Sequence, residues 1–298
     1  MALSLVVSAQ LAVNVADDPA GARMVAAWYG AALERLGGEL REALRAAGPL
    51  DQAALRNPEG YGPAGSIWAQ FWAVDARGRS RVTAFSEERW AAFLETMSTE
   101  PRESELLLVR LDSNGFTHSW PFLEVSARPS EDFPDWWFLD AHFPEEWMSG
   151  PGFEEAVTGL FLEVAAVGDP SYGHLTYRFS ARRSALEEGL ALLSDESIAT
   201  SRSVLRGYSW LTLLSPEQVS RLGGVEALQA SGAFHRVVGL PAGGAVLLAT
   251  ERYGAYGFAD AERIFPVLAP VLPAGEPQWR PEDTGVHYLV FKDARDVS

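Results

Sequence analysis

The sequence contains no cysteine and only one lysine, Lys292, among its 298 residues. The absence of cysteine excludes disulfide bonds, thiolate metal ligands and cysteine nucleophiles, and it leaves the redox compartment open. Basic residues are scarce: the sequence has 24 Lys and Arg and 40 Asp and Glu, which gives a formal net charge of -16. Such an acidic chain repels phosphate groups, so the composition argues against binding to nucleic acids or anionic membranes and favours a basic partner.

Long hydrophobic runs are also lacking. No segment reaches the ~20 apolar residues that a membrane-spanning helix needs. Positions 1–15 place an apolar residue at every odd number, which is typical of a strand. The first basic residue, Arg23, follows two aspartates, whereas a secretion signal begins with a basic region. The sequence therefore predicts a cytoplasmic protein.

The composition that remains is that of a globular protein, with 47% hydrophobic and 21% charged residues. Helix and strand signals alternate without a strict βαβ rhythm. They predict an α+β fold of mixed, mostly antiparallel sheets with flanking helices, in two related or packed halves. We predict an N-terminal α+β part at 1–128, an acidic aromatic connecting segment at 129–151 and a C-terminal α+β part at 152–298. The alternative is one continuous domain in which both parts share a sheet.

Local signals predict several element boundaries. An Asn-Gly pair between predicted strands at 106–111 and 116–125 is a strong hairpin signal. Residues 204–214 have the pattern of one long strand. Directly after it, Ser215 and Gln218 form a capping box, which predicts the start of a helix.

Three patterns resemble catalytic motifs but lack the required context. Residues 60–65 satisfy G-x-G-x-x-G, yet this loop contains a proline and runs into a Trp-rich strand, so a dinucleotide site is not predicted. Residues 207–211 begin like a nucleophile elbow, but the fifth position is Leu211. The five histidines stand singly, without metal-ligand spacing. We predict no catalytic, cofactor-binding or metal-binding residue.

One segment departs from an ordinary surface. No Lys or Arg occurs between Arg128 and Arg178, and the first half of this stretch mixes carboxylates with aromatic rings. Rings supply contact area at little entropic cost, and carboxylates attract a basic surface from a distance. The predicted partner-binding residues are Asp132, Asp135, Trp136, Trp137, Asp140, Glu145, Glu146 and Trp147.

Two other interpretations of this segment stay open. Trp136, Trp137 and Phe138 could pin an irregular loop to the core, with the carboxylates as a solvated rim. Alternatively, Asp140 and His142, followed by two glutamates, could supply metal ligands from one loop.

The C-terminal third carries a resemblance to a known family. Arg206-Gly207-Tyr208-Ser209-Trp210 begins a predicted strand, a short helix ends in Leu-Gly-Gly at 222–224, a Gly-rich strand follows at 243–248, and the last helix comes at 256–272. These motifs, in this order, resemble the type VI immunity family of bacterial proteins.

The resemblance implies a non-enzymatic protein that binds a toxin, one delivered by neighbouring cells or encoded beside it, and blocks its active site or its uptake. It implies no catalytic residue, and it marks Arg206, Gly207 and Trp210 as positions that define the fold. From the residues alone, two alternatives remain. One is a hydrolase whose site is assembled from distant residues such as His142 or Ser209. The other is a structural component that self-associates through the Trp-rich loop.

Overall fold

The computed structural model describes residues 5–16, 19–177, 182–278 and 288–297. Within these ranges ten strands form one sheet, in the order β3-β2-β4-β5-β6-β1-β7-β8-β10-β9. The strands are β1 (Val6–Asn14), β2 (Ile67–Val74), β3 (Ser80–Ala84), β4 (Ser104–Arg110), β5 (Phe122–Pro129), β6 (Trp136–Pro144), β7 (Tyr172–Tyr177), β8 (Leu211–Leu214), β9 (Arg236–Gly239) and β10 (Ala245–Leu248).

Nine α-helices accompany the sheet in the described part of the chain. They are α1 (Pro19–Leu36), α2 (Gly38–Ala47), α3 (Glu87–Met97), α4 (Phe153–Ala165), α5 (Ala185–Leu190), α6 (Ser194–Ile198), α7 (Pro216–Arg221), α8 (Val225–Ala230) and α9 (Phe258–Leu268). All neighbouring strands pair antiparallel. The predicted α+β class, a mostly antiparallel sheet with flanking helices, is confirmed.

A large part of the hydrophobic core lies between one face of the sheet and the helices α1 and α4. β1 lies between β6 and β7 in the sheet. Its residue Leu11 points to the face of the sheet on which Phe161 of α4 packs. Trp28 of α1 meets Phe161 edge to face, with ring centroids 6.0 Å apart, and both rings are fully buried. Full burial of a side chain such as Phe161 contributes roughly 2–3 kcal/mol. This packing holds α1 and α4 against one face of the sheet, so the opposite face of the central strands is not covered by these two helices.

The predicted connecting segment 129–151 contains a strand of this sheet. Residues 136–144 form β6, which pairs with β5 on one side and with β1 on the other. Strands from both predicted parts therefore lie in one sheet, which is the alternative that the sequence left open. The division into parts at 128 and 152 stays a prediction.

Other boundaries differ from the sequence-based ones. The predicted long strand at 204–214 is a strand only over Leu211–Leu214. The backbone before it bonds elsewhere, because the N–H of Leu205 donates to the carbonyl of Val271 at 2.7 Å and the N–H of Ser209 to the hydroxyl of Thr212 at 3.1 Å. The predicted capping box at Ser215 is confirmed and begins α7.

Candidate functional site

The sheet face opposite α1 and α4 carries a band of polar side chains. On the five neighbouring strands β5, β6, β1, β7 and β8, alternate residues include Ser, Thr, Gln, His, Asp and Glu, and the register aligns them in two rows across the sheet. One row runs Glu124–His142–Ser8–Thr176, and the second runs Ser126–Asp140–Gln10–His174–Thr212.

These rows form the floor of a cavity of about 200 Å³, which we call the polar cleft. Its volume holds several water molecules but is smaller than the ~300 Å³ at which pockets for drug-sized ligands begin. The polar cleft is lined by Ser8, Gln10, Glu124, Ser126, Arg128, Asp140, His142, His174, Thr176, Tyr177, Arg182 and Arg183.

A buried ion pair supports one wall of the polar cleft. The side chains of Arg206 and Glu187 are fully buried, and the guanidinium Nε donates to the carboxylate at 2.7 Å. The Nη1 group of Arg206 donates to the side-chain carbonyl of Gln10 at 3.1 Å, and the amide of Gln10 donates to Asp140 at 2.9 Å. Two ions without water need such additional hydrogen bonds, because desolvation costs several kcal/mol per ion.

Arg182 links this network to the mouth of the cleft. Its backbone is in the left-handed conformation, with a φ of 57°. A non-glycine residue in that region costs roughly 1–2 kcal/mol. Its carbonyl accepts hydrogen bonds from Gln10 at 3.4 Å and from Arg206 at 3.2 Å. Its guanidinium lies 5.2 Å above the ring of Phe138 and 3.7 Å from the carboxylate of Asp140. These contacts hold the strained residue in place.

His174 presents a neutral ring to the cleft. Its Nδ1 atom is hydrogen-bonded to the hydroxyl of Tyr172 at 2.7 Å, and its Nε2 atom meets no partner among the described residues. Burial, and secondarily the positive charge of Arg206, lowers the pKa of His174 from 6.5 to about 3. Near neutral pH the ring can give or accept a hydrogen bond, but it does not act as an imidazolium acid.

A second cavity, of about 180 Å³, adjoins the polar cleft and shares Thr176 and Tyr177 with it. We call it the tyrosine pocket. It is lined by Glu145, Leu175, Thr176, Tyr177, Ala185, Tyr208, Ser209, Trp210, Tyr253, Gly254, Tyr256 and Tyr288.

The rings of the tyrosine pocket stand at steep angles to one another. Tyr253 meets Trp210 at 5.9 Å and 87°, and it meets Tyr177 at 6.3 Å and 61°. Tyr256 meets Tyr288 at 5.4 Å and 89°. Trp210 is buried and donates its indole N–H to the carbonyl of Thr250 at 3.1 Å, so it forms a rigid wall.

Glu145 supplies the charge of the tyrosine pocket. Its carboxylate accepts a hydrogen bond from the hydroxyl of Tyr177 at 2.5 Å. Burial and this carboxylate raise the pKa of Tyr177 to about 12, and burial also raises the pKa values of Tyr253 and Tyr256. These three phenols are therefore neutral near pH 7, and Glu145 is the acidic residue of the described lining.

The eight predicted partner-binding residues separate into groups along β6. Asp132 and Asp135 are exposed before the strand, and Trp136 is partly buried at its first position. After the strand, Glu145 and Trp147 are partly buried and Glu146 is exposed. At 3.3 Å per residue the nine-residue strand holds the two groups roughly 30 Å apart.

Trp137 and Asp140 lie between these groups, in the interior. Trp137 is 6% exposed and donates its indole N–H to the carbonyl of Pro134, and Asp140 is 1% exposed beneath Gln10 and Arg182. The sequence predicts both at a partner-binding surface, whereas the structure buries both and places Asp140 in the lining of the polar cleft. Their part in binding a partner stays a prediction. Both residues support the fold.

The alternative metal loop at 140–146 also has a different geometry. Asp140 and His142 lie on β6 and face the polar cleft, whereas the two glutamates follow the end of the strand. Across the described ranges, no group of three or more His, Cys, Asp or Glu residues is arranged to hold a metal ion.

Sequence reasoning missed both cavities. The available signal for the polar cleft was a polar residue at every second position, as at Ser8 and Gln10 or at His174 and Thr176. The tyrosine pocket draws on residues from 145 to 288, and no local pattern unites them. In the part of the chain that the structure describes, no helix is long and apolar enough to span a membrane.

Comparisons with known proteins give a similarity of fold but no family. No protein-family model matches the chain, and no curated protein matches it. Among solved structures, a Pseudomonas aeruginosa T6SS protein is similar, with a TM-score of 0.54 and 14% sequence identity. The similarity covers 98% of this chain and 80% of that one, so the two proteins share a fold over nearly the full length of this chain.

Proposed function

We propose that this protein is associated with type VI secretion and that it binds and neutralises a cognate toxin or effector by protein–protein contact. The observation that carries the proposal is the similarity of fold, across nearly the whole chain, to a T6SS protein. The motifs at 206–248, which resemble the type VI immunity family, support it independently.

The exposed acidic group before β6 supplies a surface suited to this role. Asp132 and Asp135 are exposed beside Phe133, an aromatic ring that is 40% exposed, and beside the partly buried Trp136. Exposed carboxylates attract a basic partner over long distances, and rings at the same place anchor the complex once it forms.

The test begins with a candidate effector, chosen from the genes that neighbour the one for this protein and produced as an inactive variant. Surface plasmon resonance should show binding to the wild-type chain. Reversing two charges with Asp132→Lys and Asp135→Lys should slow association by about tenfold or more, since steering charges act mainly on the association rate. Thermal stability should change little, because exposed carboxylates contribute little to folding.

The matched control reverses two exposed charges elsewhere. Glu42→Lys in α2 and Glu95→Lys in α3 change the net charge by the same amount. Both helices lie on the side of the sheet opposite the polar cleft. Equal slowing by both double variants would indicate a nonspecific charge effect and contradict a binding role for the acidic group. An effector that does not bind the wild-type chain at all would contradict the proposed function.

A second candidate is the hydrolase alternative, and one observation favours it. Ser8, His142 and Glu124 lie side by side on three adjacent strands facing the polar cleft, with His142 Nε2 3.8 Å from a carboxylate oxygen of Glu124. A serine, histidine and carboxylate in this order are the elements of a nucleophilic triad. A fluorophosphonate probe that labels the wild-type protein but not Ser8→Ala would support this candidate. Absence of labelling on the folded wild type would count against it.

A further inference from the structure

We propose that the tyrosine pocket is a receptor for one arginine side chain of the protein partner. This inference rests on the proposed function, since it names a chemical feature that the bound protein should carry. The pocket combines what a guanidinium group requires: aromatic faces, a carboxylate and phenolic oxygens.

The charge of the lining indicates that the ligand is positively charged. Among the described residues, twelve line the tyrosine pocket; none of these is Arg, Lys or His, and Glu145 is the only acidic one. The described lining of the adjacent polar cleft contains three arginines, so the two sets of residues favour different ions. A cation is attracted to the tyrosine pocket both by Glu145 and by the negative faces of its rings.

The capacity for hydrogen bonds fits a donor-rich group. A carboxylate has about four acceptor sites, and Tyr177 occupies one of those on Glu145. Tyr256 is 9% exposed, and its hydroxyl meets no hydrogen-bond partner among the described residues. A guanidinium carries five N–H donors and no acceptor, so it can satisfy acceptors that the pocket leaves open.

The size and rigidity of the cavity favour a side chain. At about 180 Å³ the tyrosine pocket lies below the range of drug-sized ligand sites. Its walls are held by ring contacts, and Tyr208 is fixed by a hydrogen bond from the N–H of Val290 at 3.3 Å. The flat guanidinium group stacks on such rings better than the compact, strongly hydrated ammonium group of lysine does.

The direct test uses N-acetyl-arginine amide as a probe, with N-acetyl-citrulline amide as its uncharged analogue of the same shape. The protein is labelled with ¹³C in its eight tyrosine rings. Five of these rings line the pocket, and Tyr29, Tyr61 and Tyr172 serve as an internal reference. The arginine probe should shift signals of the five pocket rings and leave the reference rings unchanged. Citrulline should bind at least about tenfold more weakly, since it lacks the charge that strengthens the hydrogen bonds to Glu145.

Two variants one residue apart complete the test. Glu145→Gln keeps an acceptor for the hydroxyl of Tyr177 but removes the charge, and it should weaken binding of the arginine probe by about tenfold or more. Glu146→Gln removes the same charge outside the pocket lining and should change binding by less than about twofold. Equal binding of citrulline, equal affinity of Glu145→Gln and wild type, or tighter binding of N-acetyl-lysine amide would overturn the proposal.

The effector separates this inference from the proposed function. If the effector binds the wild type and Glu145→Gln equally well, the arginine receptor is contradicted while toxin binding stands. If the effector does not bind the wild type, the proposed function fails, and the probe experiment still decides whether the pocket binds a guanidinium.

Discussion

At the scale of single residues, the positions that the family resemblance singled out have structural roles. Arg206 is fully buried in its pair with Glu187, and its guanidinium lies 5.1 Å from the ring centroids of Phe138 and Tyr172. At Gly207 an added Cβ would lie 2.5 Å from the hydroxyl of Ser184, so a larger residue would collide there. These contacts explain why residues near 206 leave the strand pattern that the sequence indicates.

His174 yields a pH-dependent prediction. Because its folded pKa of about 3 lies below the unfolded value of 6.5, the unfolded chain binds a proton that the folded chain does not. The folded state should therefore lose stability as pH falls below about 6.5. Between about pH 7.5 and pH 5.5 this one residue should reduce the free energy of unfolding by about 1 kcal/mol.

Urea unfolding of the wild type and of His174→Gln at both pH values isolates this effect. All other titrating groups are shared by the two proteins, so the difference between their pH-induced changes reports His174. The wild type should lose about 1 kcal/mol more than the variant on acidification. An equal loss in both proteins would show that His174 is not held neutral.

At the scale of elements, β6 is a buried strand whose sequence has the composition of a connecting segment. Phe138, Asp140 and His142 face the cleft side, whereas Leu139 and Ala141 occupy the alternate positions, and all five are buried. A strand buried on both faces lacks the alternation of apolar and exposed polar residues that identifies a strand. Its acidic and aromatic composition then resembles a surface loop.

The start of α7 was predictable because a capping box is local. Ser215 accepts the N–H of Gln218 at 3.2 Å, and its hydroxyl also donates to the carbonyl of Arg202 at 2.6 Å. Ser215→Ala should therefore lower the free energy of unfolding by about 1–2 kcal/mol. Ser220→Ala, an exposed position of the same helix, serves as the control and should leave stability nearly unchanged. Equal stability of the two variants in urea unfolding would refute the role of the cap.

At the scale of the whole molecule, the excess of 16 negative charges predicts that association with the proposed toxin or effector depends on salt. Raising the ionic strength from about 0.1 M to about 1 M shortens the Debye length from about 10 Å to about 3 Å. The association rate of the wild type should then fall by about tenfold or more, as stopped-flow fluorescence can measure. The variant with Asp132→Lys and Asp135→Lys should show a weaker salt dependence. An association rate that is insensitive to salt would argue against electrostatic steering.

The sequence by itself determined the α+β class, the opening strand and the capped start of α7, because each depends on residues close together in the chain. Only the tertiary structure decided the strand order, which pairs β1 with β6 over a separation of about 130 residues. It also decided which carboxylates are exposed and which, like Asp140, are buried. Pairing and burial depend on contacts between distant segments, and local propensity carries no information about those contacts.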